Sequence, residues 1–198
     1  IALGDFDRDG DLDVVVATGV SGAGEIICWN NGNGTFSSST TLPGIGGTTG
    51  VVETGDFNQD GYVDIFIGKS NTSGTRNDVI LYNDGYGGFD TGHMHTFTNT
   101  TRAYATSAAV GDVDGDGDLD IILGRGGGSN QYNYFLRNDG NDNWSEIRLN
   151  DSRDTRGVAL ADVDRVGDLD LLVADYGSTV KLFQFNSGSL GAATNIST

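Results

Sequence analysis

The sequence predicts an all-β repeat protein, with four copies of a four-stranded unit filling its 198 residues. An aspartate-dense loop of nine residues recurs four times, starting at residues 5, 56, 112 and 162, hence 51, 56 and 50 residues apart. A short run of branched apolar residues follows each loop at once, and an Asn-x-Gly turn keeps step with it further on. A period of this size marks a supersecondary unit stacked on copies of itself. No segment sustains a 3.6-residue apolar period, so helix is expected to be scarce.

Each copy divides in the same order. A strand of small residues enters the loop, as in Val51 to Gly55 and Ala108 to Gly111. A fully apolar strand leaves it: Val14 to Val16, Ile65 to Ile67, Ile121 to Leu123 and Leu171 to Val173. Continuous β-branched runs of this length suit a strand buried on both faces. A third strand runs up to the turn: Ile26 to Trp29, Val79 to Tyr82, Phe135 to Arg137 and Val180 to Phe185. The turns are Asn30-Asn31-Gly32, Asn83-Asp84-Gly85, Asn138-Asp139-Gly140 and Asn186-Ser187-Gly188. Asn-Gly and Asp-Gly supply the positive φ angles of tight hairpins. A fourth strand, rich in Ser and Thr, follows Phe36, Phe89 and Trp144, with Leu190 as the weaker counterpart. Four strands per unit at this period match a propeller blade, in a closed propeller or an open, partial array. The whole chain reads as one repeat domain, with repeats near 1–49, 50–105, 106–155 and 156–198.

The loops carry the chemistry. Positions 1, 3, 5 and 9 are Asp5, Asp7, Asp9 and Asp13 in the first, and Asp56, Asn58, Asp60 and Asp64 in the second. They are Asp112, Asp114, Asp116 and Asp120 in the third, and Asp162, Asp164, Val166 and Asp170 in the fourth. So many oxygens on a tight turn repel one another without a cation and match the six to eight oxygen ligands of Ca²⁺. The backbone carbonyl at position 7 (Asp11, Tyr62, Asp118, Asp168) is expected to join the shell. Val166 brings no oxygen, so three strong sites and a weak or absent fourth are expected. An EF-hand would need a bidentate Glu at position 12; Val16, Ile67, Leu123 and Val173 stand there instead. Glycine-rich nonapeptide β-helices repeat far too fast to match.

These loops and their spacing resemble the FG-GAP (or VCBS) repeat family, the blades of integrin-α-type propellers and of many secreted microbial proteins. The resemblance covers essentially the whole chain. It implies a calcium loop joining the first two strands of each blade and usually seven blades per propeller. The expected role is an extracellular adhesion or structural scaffold, with a calcium-stabilised lectin that binds glycans as the alternative.

Composition narrows the function. The net charge is −17, and fourteen of the 28 acidic residues are the aspartates at loop positions 1, 3, 5 and 9. Three bound Ca²⁺ would bring the formal charge to −11. No basic stripe exists to contact phosphate, so nucleic acid is a poor partner. No apolar stretch is long enough to cross a membrane as a helix, so membrane insertion is not expected. Calcium loops of this kind suit the extracellular range, where Kd values of about 10⁻⁴–10⁻³ M suffice. Cys28 is the single cysteine and reads as an inert thiol on an inner strand. No Ser/His/Asp order lies on a strand–turn–helix elbow, and no cysteine has a plausible base, so the chain reads as a non-enzyme. Asn33, Asn71, Asn99, Asn143, Asn150 and Asn195 head Asn-x-Ser/Thr sequons, glycan acceptors if the protein is a secreted glycoprotein. His93 and His95 share one strand face and read as solvated edge residues; Trp29, Tyr82 and Tyr86 read as packing between blades more than as a sugar platform. The chain starts inside a first strand at Ile1 and ends in a fourth, Gly191 to Thr198. Completion of the end strands head to tail by another chain is therefore expected, with a protein or glycan ligand at the cell surface as partner.

Overall fold

A computed structural model describes residues 1–20, 24–70, 77–98, 104–127, 131–152, 154–177, 180–186 and 189–196. Among these residues every regular element is a strand, and no helix is long and apolar enough to cross a membrane. Four four-stranded antiparallel sheets follow one another along the chain, each a meander in sequence order. The first comprises β1 (Ala2–Gly4), β2 (Asp13–Val16), β3 (Ile26–Asn30) and β4 (Phe36–Thr41). The second comprises β5 (Thr49–Gly55), β6 (Asp64–Lys69), β7 (Val79–Asn83) and β8 (Phe89–Thr96). The third comprises β9 (Tyr104–Gly111), β10 (Asp120–Gly126), β11 (Tyr132–Asn138) and β12 (Trp144–Ser152). The fourth comprises β13 (Thr155–Ala161), β14 (Asp170–Asp175), β15 (Val180–Phe183) and β18 (Thr194–Ile196), with a small hairpin of β16 (Phe185–Asn186) and β17 (Ser189–Leu190) inserted before its last strand.

Burial follows the composition of each strand. β6 and β10 are buried at every position, as their uninterrupted apolar runs require. β4, which reads Phe-Ser-Ser-Ser-Thr-Thr, is exposed at every position, and its hydroxyls meet water. Each aspartate loop joins the first two strands of its sheet and ends on the first residue of the second strand, since Asp13, Asp64, Asp120 and Asp170 open β2, β6, β10 and β14.

The chain divides into two compact units, Ile1–Tyr104 and Ala105–Thr198. The core of the first joins Phe6, Val15, Ile27, Val52, Ile65, Ile67 and Leu81 from both of its sheets. The core of the second joins Val113, Ile122, Phe135, Leu171, Val173, Phe183 and Phe185. An edge-to-face aromatic pair sits in each, Phe6 on Phe89 at 5.9 Å and Phe135 on Phe185 at 5.7 Å. Such pairs add about 0.5–1.5 kcal/mol beyond the area they bury.

Two sequence expectations need correction. The third strand expected over Val180 to Phe185 stops at Phe183, because Phe185 turns into the core, 1% exposed, and opens the β16–β17 hairpin. The fourth strand of that copy is accordingly short, Thr194–Ile196, and pairs with β15. Cys28, on β3, is half-buried and free. Trp29 packs beside the first core, whereas Tyr86 is 89% exposed. His93 is exposed near Asp90, and His95 stacks 4.7 Å from Phe97. Of the sequons, Asn33, Asn143, Asn150 and Asn195 are exposed; Asn71 and Asn99 lie outside the described residues.

Candidate metal centre

The four loops share one backbone scaffold, set by side-chain oxygens that accept neighbouring N–H groups. The position-1 carboxylate accepts the N–H of the position-6 glycine: Gly10 to Asp5, Gly61 to Asp56, Gly117 to Asp112 and Gly167 to Asp162, at 2.9–3.2 Å. The position-3 oxygen accepts the N–H of position 5: Asp9 to Asp7, Asp60 to Asn58, Asp116 to Asp114 and Val166 to Asp164, at 3.1–3.3 Å. The position-6 glycines have φ between 88° and 98°, a conformation a Cβ would strain. Position 4 is also left-handed, with Arg8, Gln59 and Arg165 near 60° and Gly115 at 81°.

Position 9 has a role the sequence did not reveal. Asp13, Asp64, Asp120 and Asp170 are at most 1% exposed, and each carboxylate brackets two backbone donors. One oxygen accepts the position-2 N–H, from Phe6, Phe57, Val113 or Val163. The other accepts the N–H of the last residue of the third strand, Asn30, Asn83 or Asn138, or, in the fourth copy, that of Phe185 just past it. The three asparagines continue the tie through their own amides. Asn30, Asn83 and Asn138 donate to the carbonyls of Leu12, Val63 and Leu119, and their Oδ1 atoms accept Gly32, Gly85 and Gly140 N–H. The recurrence of Asn at nearly fixed distance from the loop was the available signal. In the fourth copy Phe185, not Asn186, occupies this place.

Position 7 explains the paired landmarks. A Cβ on Gly32, Gly85 or Gly140 would lie 2.7–3.0 Å from the side chain of Asp11, Tyr62 or Asp118. These side chains therefore rest on the hairpin turn. That arrangement is compatible with a backbone carbonyl, in place of the side chain, serving the loop interior.

Positions 1, 3 and 9 converge. Asp5, Asp7 and Asp13 offer oxygens within 4.8 Å of one another, as do Asp112, Asp114 and Asp120, and Asp162, Asp164 and Asp170. Position-5 Asp9 and Asp116 are not members of these triads, and Asp60 and Asn58 pair by their own side chains at 2.9 Å. The donors are all hard oxygens, which suits Ca²⁺ or Mg²⁺ rather than zinc. Asp5 Oδ1 is buried and accepts no hydrogen bond, as is Asp168 Oδ1 in the fourth loop. A buried carboxylate oxygen left without a donor is costly, and a cation in the triad would satisfy Asp5. The residues fit a hard divalent ion.

The fourth loop keeps the fold of the others, with one bond missing. In loops one to three the position-7 N–H donates to the position-5 carboxylate at 2.9 Å, and Val166 has no oxygen to accept it. Its Asp162, Asp164 and Asp170 nevertheless converge, although Asp164 also accepts from Gln184 at 2.8 Å. Val166→Asp is expected to tighten calcium binding at this loop by restoring a charged ligand. Calorimetric titration checks this, and an unchanged isotherm would show that position 5 contributes nothing.

Electrostatics without metal run against ionisation. Burial pushes Asp64 and Asp120 up to about 7, with the Asn83 and Phe57, or Asn138 and Val113, N–H groups opposing it. Burial likewise raises Asp13, and it raises Asp114 with help from Asp116. A bound cation reverses this logic. In metal-free protein, Asp64 and Asp120 hold protons in the folded state that they release when unfolded, where carboxyls titrate near 4. The stability that these two groups contribute is therefore full below about pH 4 and is lost as pH rises through about 7, by on the order of 4 kcal/mol for each group. With saturating calcium the slope should reverse, because the ion requires the ionised carboxylates. Urea melts at pH 5 and pH 8, in EGTA and in calcium, give the four values needed.

Comparison with known proteins bears on the fold and the family. BBS1N in complex with ARL6DN, soaked with lead, superposes with a TM-score of 0.56 at 14% identity, over 98% of this chain and 52% of that one. The Dos1 propeller superposes with a TM-score of 0.62 at 14% identity, over 100% of this chain and 47% of that one. The chain thus spans about half the length of each, and at that identity the likeness bears on the fold alone, which is that of β-propeller blades. No curated protein matches the chain. The FG-GAP-like repeat model matches at residues 5–67, 56–123 and 112–173, each match running from one aspartate loop past the next. The chain belongs to the FG-GAP-like repeat family.

Proposed function

We propose that this chain is a calcium-stabilised β-propeller module that works outside the cell as an adhesion or structural scaffold, and that its calcium is structural, not catalytic. The observation that carries this reading is the convergence of three carboxylates in the first, third and fourth loops, on a backbone scaffold that all four loops share, with Asp5 Oδ1 buried and undonated. Each ion would be held by positions 1, 3 and 9, with position 5 and the position-7 carbonyl available to complete the shell. It would neutralise carboxylates that otherwise repel one another, and so fix the turn between the first two strands. The aspartates are read as ligands that stay ionised, which makes them unsuitable as general acids. The blades then present their loops to a protein partner, or to further copies of the chain.

Titration of metal-free chain with Ca²⁺ and Mg²⁺ tests the reading. Calcium is expected to bind three or four times per chain in the millimolar range or tighter. Magnesium, which demands a tight octahedral shell, should bind much more weakly. Equal affinity for the two ions, or zinc displacing calcium, would count against it.

A glycan-binding reading is favoured by a cavity of about 340 Å³ beside the second loop, lined by Asn58, Asp60, Tyr62, Tyr82, Asp84 and His93. Aromatic walls among amides and carboxylates suit a sugar face and its hydroxyls. A glycan array in calcium separates this role from a purely protein-directed scaffold.

A further inference from the structure

At the end of each blade pair remote from the aspartate loops, both units bury a cluster of different chemistry. In the first unit Lys69, the last residue of β6, places Nζ 3.5 Å from Glu25 Oε1 and donates to Thr49 Oγ1 at 3.1 Å. Thr49 in turn donates to Glu25. Glu25 precedes β3 of the first blade, whereas Thr49 and Lys69 belong to the second, so the cluster crosses between blades. Lys69 and Glu25 side chains are each 3% exposed. In the second unit Lys181 donates to Asp175 at 2.8 Å, and Thr155 donates to Asp175 at 2.9 Å. Asn133 of the third blade then donates to Thr155 of the fourth at 2.9 Å, again crossing between blades. Thr106 adds a second crossing bond, to the Thr155 carbonyl at 2.7 Å.

The recurrence is one of chemistry, not of sequence position. Lys69 ends the second strand of its blade, whereas Lys181 lies in the third strand of its own. Neither cluster includes a residue of the aspartate loops. Along β6, Asp64 and Lys69 are five residues apart, about 17 Å in an extended strand. On the calcium reading, the loop end of each blade depends on a cation within that blade, whereas the opposite end carries a lysine–carboxylate pair whose hydrogen bonds cross between blades. Breaking a buried ion pair on one side alone strands a charge, which makes such a cluster hard to open.

We propose that the lysine–carboxylate–threonine clusters are metal-independent latches, so that calcium loss opens only the loop end of each blade pair while the blades stay joined at the other. The proposal rests on the calcium reading above. It makes calcium withdrawal a local, reversible transition, in which the loops that a partner would contact become mobile on a scaffold that remains assembled.

Amide hydrogen exchange on the full chain, in calcium and in EGTA, tests it. In EGTA the amides held by position-9 aspartates (Phe57, Asn83, Val113 and Asn138) should exchange at least tenfold faster. The Lys69 amide, held by Asp78, and the Arg125 amide, held by Asn133, should stay protected. Lys69→Met should remain folded in calcium and lose protection at both ends of the first unit in EGTA. If it fails to fold even in calcium, Thr49→Val, which removes only a hydroxyl, should show the same loss in weaker form. Simultaneous loss at both ends in wild-type protein would overturn the latch and leave calcium binding intact. Loop amides indifferent to calcium would instead remove the metal reading, and the switch with it. A Thr49→Val protein that behaves as wild type in EGTA, alongside a Lys69→Met protein that does the same, would also overturn the latch.

Discussion

Chelation should lower the melting temperature of this chain by about 10–20 °C relative to protein in calcium at ten times Kd. Each independent site then adds about 1.4 kcal/mol, so three or four sites add about 4–6 kcal/mol. For a chain of 198 residues, each kcal/mol moves the midpoint by about 2–4 °C. The direction follows from the first, third and fourth loops, where three carboxylates lie within 4.8 Å of one another and would lose their counter-charge when the ion leaves. Burial of Asp64 and Asp120 makes the loss larger at pH 8 than at pH 5, since both titrate near 7 without metal. Magnesium at the same concentration should restore little of the shift. A midpoint indifferent to EGTA at pH 8 would show that the apolar cores hold the blades unaided.

Asp120→Ala should destabilise the calcium-loaded protein by about 3–5 kcal/mol, the effect of removing one partner from a buried charged cluster. Its carboxylate is fully buried and accepts the Val113 and Asn138 N–H groups, both at 2.8 Å. Truncation strands two buried donors at about 1–3 kcal/mol each and removes a metal ligand as well. Asn is isosteric yet should do nearly as badly, because its NH₂ would face one of the two N–H donors. Asp116→Ala, at exposed position 5 of the same loop, should cost calcium affinity but little metal-free stability. Denaturant melts of the three variants order them, and equal effects at positions 5 and 9 would contradict the bracket.

The architecture was legible because it rests on short-range pattern. The apolar runs after each loop are the strands β2, β6, β10 and β14, of which β6 and β10 are buried at every position and β2 and β14 only in part, and the hydroxyl-rich Phe36 to Thr41 is the exposed β4. The loop oxygens were legible as a set, but not the division of labour within it. That Asp13 and its equivalents clamp the end of the third strand depends on where a strand about seventeen residues away is laid down. The packing of Asp11, Tyr62 and Asp118 on the hairpin glycines likewise depends on sheet register. In the fourth copy the Asn-x-Gly pattern over Asn186 to Gly188 pointed one residue past the real counterpart, because Phe185 gains more from the core than from continuing the strand. The Lys69–Glu25 pair spans 44 residues and two blades, and no local period announces it.

The most direct test is a crystal structure grown in millimolar calcium, with anomalous scattering used to locate the ions. The expected result is one calcium in each of the first three loops, coordinated by positions 1, 3, 5 and 9 and by the position-7 carbonyl at about 2.3–2.6 Å. A weaker peak or none is expected beside Val166. Empty first, second and third loops under those conditions, with the Asp5, Asp7 and Asp13 oxygens turned apart, would contradict the account.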